Sequence, residues 1–130
     1  RPRRADARAF ALSRRVLLAQ TADGVSVDIA LGAFPFEERA VARASEWRIS
    51  ESITLRTCSA EDLITHKAFA GRDLDWGDLE RVLVRQHGKL KLEQIRSELK
   101  PLLELKGALE SLDKLEQKIV TVERRLHSSA

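Results

Sequence analysis

Five charged side chains in this 130-residue sequence have the type and spacing to do chemistry: Asp28, and later Lys67, Arg72, Asp75 and Asp78. Asp28 lies in Val25-Ser26-Val27-Asp28-Ile29-Ala30-Leu31, which alternates with strand period. Val25, Val27, Ile29 and Leu31 share one face, and Ser26, Asp28 and Ala30 the other. A carboxylate in an apolar strand needs a partner, because an unpaired buried charge is costly. Three settings satisfy it: a Lys or Arg, a polar sheet face, or a metal ion. Its small neighbours leave room beside it for something as large as a nucleotide. Lys67 and Arg72, five residues apart across a helix end, bring an ammonium and a guanidinium fork, the groups that hold a polyphosphate. Asp75 and Asp78 straddle the next helix start and can orient those cations or accept from a substrate hydroxyl. The plainer reading, favoured on these residues alone, is a surface ion-pair cluster in which Asp75 caps a helix.

The elements that position these groups follow from local pattern. A short helix is expected over residues 5–12 and a strand over 15–20, apolar on both faces and suited to a sheet interior. Thr21-Ala22-Asp23-Gly24 is hairpin turn chemistry, so the Asp28 strand should pair antiparallel with the one before it. Residues 36–44 suit a short helix with acids first and arginines last, and residues 52–56 a third strand. Ser59-Ala60-Glu61-Asp62 is a hydroxyl cap followed by first-turn acids, starting a helix that runs toward Gly71. A second begins at Asp73 or Asp75, with Leu79, Val82 and Leu83 as its apolar stripe, and ends at Gly88. Leu92, Ile95, Leu99 and Leu102 or Leu103 keep helical spacing, and Pro101 should kink that helix or open a new turn. Beyond Gly107, Leu109 to Leu126 repeat at three-four spacing, as one arm of a helical hairpin. His127-Ser128-Ser129-Ala130 reads as a disordered tail.

Composition narrows the class. A hydrophobic content of 43% supports a core, and a net charge of +3 is compatible with phosphate-bearing partners. Arg1, Arg3, Arg4, Arg8, Arg14 and Arg15 crowd the start as a solvated segment or an electrostatic guide for nucleic acid. A single cysteine excludes an internal disulfide framework and a multi-cysteine zinc site, and suits a reducing, cytoplasmic compartment. Cys58 is expected as a small buried packing residue, and Trp47 and Trp76 as packing anchors. His66, His87 and His127 are too scattered to make a ligand set. No apolar run reaches membrane-spanning length, so no membrane partner is expected. The chain contains no methionine and opens on Arg-Pro-Arg-Arg, which is read as part of a longer protein.

Two runs together carry a resemblance. Val27-Asp28-Ile29-Ala30-Leu31-Gly32 followed by Pro35-Phe36-Glu37 is similar to the central block of minimal nucleotidyltransferases of the polymerase-beta superfamily, closest to bacterial proteins of the AbiEii toxin type. Ser59-Ala60-Glu61-Asp62-Leu63-Ile64, then Lys67-Ala68, Ala70-Gly71-Arg72, Asp75-Trp76 and Asp78-Leu79 resemble the helical motif of the same group. The resemblance implies transfer of a nucleoside monophosphate from a nucleoside triphosphate to an acceptor hydroxyl on RNA or protein, with two magnesium ions (Mg2+) as cofactor. It implies Asp28 as metal ligand, Asp28, Lys67 and Asp75 as catalytic residues, and Lys67, Arg72 and Asp78 at the nucleotide. A toxin role with a cognate antitoxin partner is also implied.

The sequence departs from the pattern in one respect. The family places two further carboxylates in a Gly-Ser loop followed by an acid-x-acid pair, and this chain holds neither before Asp28. They are expected ahead of residue 1, so the chain alone should be inactive. The expected fold is α+β: a remnant of a small mixed nucleotidyltransferase sheet (hairpin plus one strand) over residues 1–57, then a helical bundle over 58–130. The alternatives are a non-catalytic interaction module or an antitoxin-like scaffold that binds protein or nucleic acid.

Overall fold

The computed structural model describes residues 1–128. The chain is mixed α and β: two small antiparallel hairpins and six helices among the described residues. Its contacts divide it into a unit spanning Arg1–Ala42 and a second that begins at Arg43.

In the first unit, helix α1 (Ala7–Arg14) leads into strand β1 (Val16–Gln20), which pairs antiparallel with β2 (Ser26–Ala30). The junction passes through Arg15, a non-glycine residue in the left-handed region at φ 56°. The Asp-Gly turn closes the hairpin as the sequence predicts. Gly24 takes φ 92°, and the Thr21 N–H donates to the Val25 carbonyl at 2.9 Å. Pro2 bridges Ala19 on the other edge of β1. The expectation of a sheet interior is met only in part. β1 is half-buried along its length, but β2 is exposed throughout, with Val25, Val27 and Ile29 all in solvent. Helix α2 (Pro35–Arg43) ends on the first residue of the second unit.

The second unit begins with a correction. The strand read at 52–56 is β4 (Thr54–Thr57), and it pairs with an unexpected strand, β3 (Ser45–Arg48). The signal was present: Trp47 and Ile49 alternate with Glu46 and Arg48, but four residues beside a helix are too few to read alone. Trp47, expected as a packing anchor, is 62% exposed opposite Leu55. Ile49, Ile53 and Leu55 on that face of the hairpin are also exposed.

Four helices follow: α3 (Ala60–Ala70), α4 (Asp73–Arg85), α5 (Leu92–Lys106) and α6 (Glu110–Ser128). Ser59 caps α3 by accepting from the Asp62 N–H at 3.1 Å, and Gly71 ends it in the left-handed region. α5 runs through Pro101 as one helix, so no new turn opens there. Buried Leu99, Leu102 and Leu103 surround the proline, and their packing holds the helix where one backbone bond is missing. α6 includes His127 and Ser128, so the expected tail is helical to that point; Ser129 and Ala130 lie outside the described residues. The core is the inner stripe of all four helices, among it Ile64, Trp76, Leu79, Ile95, Leu99, Leu103 and Leu115. α3 packs on α4 and α5, and α6 closes against α4, α5 and α3. No helix among the described residues is long and apolar enough to cross a membrane.

Candidate functional site

The connection from α3 to α4 is only Gly71-Arg72, so the end of one helix faces the start of the next. That tight turn brings Lys67, Arg72, Asp75 and Asp78 together, as their spacing suggested. The Asp75 carboxylate is the hub, and it is 1% exposed. Arg72 grips it with two nitrogens, Nε donating to Oδ2 at 2.6 Å and Nη2 to Oδ1 at 3.2 Å. Lys67 Nζ donates to Asp75 Oδ1 at 3.1 Å and to Asp78 Oδ2 at 2.7 Å. Arg81 extends the chain of charge by donating to Asp78 Oδ1 at 3.2 Å. Asp75 is the third residue of α4, where the unpaired N–H groups also favour an anion. It does not form the side-chain cap that the plainer reading assigned to it; Arg72 occupies the capping position.

These contacts set the protonation states. The Arg72 guanidinium, then the Lys67 ammonium, hold the Asp75 carboxyl down at about 2 against the opposing effect of burial. Asp78 and Asp75 raise Lys67 above the ordinary lysine value, so it stays cationic. Arg72 is raised in turn by Asp75. The cluster therefore presents two permanent cations on a buried anionic post. Arg72 is 77% exposed and reaches Asp75 through Nε and Nη2, so among the described residues Nη1 is uncommitted, and Lys67 keeps one of its three N–H groups. Those donors suit phosphate oxygens.

Asp75 lends stability with a definite pH signature. Its folded value lies below the ordinary 3.8, so the contribution is complete above about pH 4 and is lost as pH falls through about 2. Melting temperatures measured from pH 7 to 2 should show a shallower acid loss in Asp75→Asn than in wild type. The difference should be on the order of 1–2 kcal/mol, discounted because both partner cations meet water. Parallel curves would show that the ion pairs contribute nothing.

Asp28 belongs to the first unit and these four to the second. Of the three settings open to it, the structure presents the first. Arg3 follows the Pro2–Ala19 bridge and donates its N–H to the Leu18 carbonyl, while Leu18 sits opposite Asp28. The Arg3 side chain thus reaches across one strand to pair with Asp28 through Nη2, on a surface where the carboxylate is 64% exposed. It is not locked in a closed interior.

Sequence reasoning missed a second cluster. Arg43 grips Asp62 with Nε at 3.0 Å and Nη2 at 2.6 Å, and donates from Nη1 to Glu98 Oε1 at 3.1 Å. Asp62 is fully buried and Glu98 is 8% exposed. Ser59 Oγ also donates to Asp62 Oδ2 at 2.9 Å. The available signal was Glu98, an acid three residues from Ile95 and four from Leu102, inside the buried stripe of α5.

Two smaller expectations change, for Cys58 and for the histidines, and that for Trp76 is met. Cys58 is exposed rather than buried, and its thiol is pushed up by desolvation and by Asp62, which disfavours a nucleophilic thiolate. Trp76 is a packing anchor, its Nε1 donating to the Gly71 carbonyl at 3.1 Å with Lys114 over the ring. His87 and His127 come together edge-to-face, 6.0 Å between centroids, although they are distant in sequence. No protein-family model and no curated protein matches the chain.

Proposed function

We propose that this chain is part of a nucleotidyltransferase-like protein, which moves a nucleoside monophosphate from a nucleoside triphosphate to a hydroxyl on RNA or protein. The observation that carries the reading is the pair of cations, Lys67 and Arg72, hung on the buried Asp75 carboxylate. Arg72 is 77% exposed, so its outer face can meet a phosphate without giving up Asp75. In this reading Lys67 and Arg72 contact phosphate oxygens and offset the charge that develops on them. Asp75 and Asp78 are positioning residues, which fix where the two cations point.

The described residues by themselves do not fit a magnesium site. No group of three or more His, Cys, Asp or Glu side chains that could hold a metal comes together among them, and Asp28 already faces the Arg3 guanidinium. A carboxylate pair from outside these 130 residues is required, with Arg3 released, before Asp28 serves as a magnesium ligand. The reading places the whole protein in the bacterial cytoplasm, as a toxin-type enzyme held by an antitoxin.

Two measurements test it. In protein that carries the complete site, Lys67→Ala should lower incorporation of labelled nucleotide into RNA by roughly a hundredfold, and Asp28→Ala should abolish it. The 130-residue chain alone should show no micromolar affinity for magnesium–nucleoside triphosphate by calorimetry. Unchanged transfer in Asp28→Ala, or tight magnesium-dependent nucleotide binding by the lone chain, would leave the interaction module as the better reading.

A further inference from the structure

A groove of about 510 Å³ lies along α4 where α6 approaches it, lined by Gly77, Glu80, Arg81, Val84, Arg85 and Arg125. We propose that this groove binds phosphoryl groups, those of a single-stranded oligonucleotide or of a free polyphosphate. The proposal does not rest on nucleotidyl transfer; the groove adjoins the Asp75 cluster and shares with it only the Arg81–Asp78 pair.

Its charge is one-sided. Three guanidiniums line the groove against one carboxylate, Glu80. Glu80 is itself committed, accepting from Lys118 Nζ at 2.7 Å and from Arg125 Nη2 at 2.8 Å. Those two cations hold its carboxyl below the ordinary range, so it remains an anchor for Arg125 across α4 and α6. Arg81 is 76% exposed and is steadied from behind by Asp78. Arg85 is exposed and has no ion-pair partner among the described residues.

Its shape fits the same ligand. Gly77, Arg81 and Arg85 recur at every fourth residue, so they stack along one side of α4. The two arginines sit one turn apart, about 6 Å along the axis, which suits successive phosphates on a strand. Gly77 leaves the helix backbone bare at one end: a Cβ built there would meet nothing within 4 Å. A mid-helix glycine costs about 1 kcal/mol against alanine, and the open approach it gives is a use for that cost. Val84, 37% exposed, adds an apolar patch for a sugar or base face. Planar guanidinium forks match phosphate oxygens in pairs, which three lysines would not do.

The test uses the 130-residue chain and fluorescence anisotropy with a labelled single-stranded oligoribonucleotide at about 50 mM salt, with inorganic tripolyphosphate as competitor. Two variants probe the groove without touching the core. Arg85→Glu reverses an unpaired surface charge, and Gly77→Glu places an acid in open space where it also favours helix. Each should weaken strand binding by about tenfold or more, and Arg85→Glu should reduce the salt slope by about one. Arg14→Glu, on α1, should leave binding within about twofold of wild type, as expected of a charge outside the contact. Competition by tripolyphosphate at equal phosphate concentration assigns the groove to free polyphosphate; its failure to compete assigns it to the strand. No binding of either probe, or equal binding by wild type and both groove variants, overturns the proposal. Circular dichroism on both variants confirms that a loss of binding is not a loss of fold.

Discussion

Arg43→Ala should destabilise the protein by about 3 kcal/mol, read as a lower midpoint in urea with an unchanged slope. The reason is the pair of acids it leaves behind. Asp62 is fully buried and Glu98 nearly so, and Arg43 supplies both with charge-assisted hydrogen bonds through three of its nitrogens. Removing the cation does not simply delete three bonds; it leaves two carboxylates in low dielectric with Ser59 as the remaining described donor to Asp62. Arg43 is itself 30% exposed, so water can partly replace it, which puts the cost at the lower end of the range for broken buried pairs. Arg43→Lys should rescue less than half of the loss, because an ammonium cannot reproduce the planar fork on Asp62 and still reach Glu98. Neutralising the two acids, with Asp62→Asn and Glu98→Gln on the Arg43→Ala background, should recover part of what Arg43→Ala lost. Were Arg43→Ala to cost less than about 0.5 kcal/mol, the range of ordinary surface changes, the three-way contact would not exist in solution.

Leu99→Ala should cost about 3–4 kcal/mol. Leu99 is fully buried on α5 among Ile95, Leu103 and the facing residues of α3 and α6. It is also two residues before Pro101, where α5 lacks a backbone hydrogen bond and depends on side-chain packing to stay continuous. Truncation removes three carbons from the core and leaves a cavity at the point where the helix is least able to hold itself straight. Leu105→Ala on the same helix is the control: Leu105 is 75% exposed, so the change should fall within about 0.5 kcal/mol. Equal effects at the two positions would mean that α5 presents a different face to the core.

The burial of Leu99 was legible in the helical spacing of α5, whereas no local pattern announces the contacts of Arg43, and the candidate site divides along the same line. Lys67, Arg72, Asp75 and Asp78 were legible because the separations are short. Lys67 reaches Asp75 over eight residues and Asp78 over eleven, and two helices joined by two residues leave those side chains little choice. Arg3 and Asp28 are 25 residues apart, and their pairing needs a third segment on the open edge of β1. The groove is of the second kind too. Arg81 and Arg85 stand on one side of α4 by periodicity, but Arg125 joins them through Glu80 across 45 residues.

The amino-acid order by itself determined the punctuation of the chain. Asp23-Gly24 closed one hairpin, Ser59 opened α3, and Gly71 and Gly107 ended helices in the left-handed region, because each depends on a few neighbouring backbone groups. Packing decided the rest. It exposed Trp47 and buried Trp76, carried α5 through Pro101, and set Arg43 between two acids 19 and 55 residues away. Side-chain type and spacing state what a residue can do. Which distant partner it meets, and whether water reaches the pair, depends on surface that exists only once the helices have closed on one another.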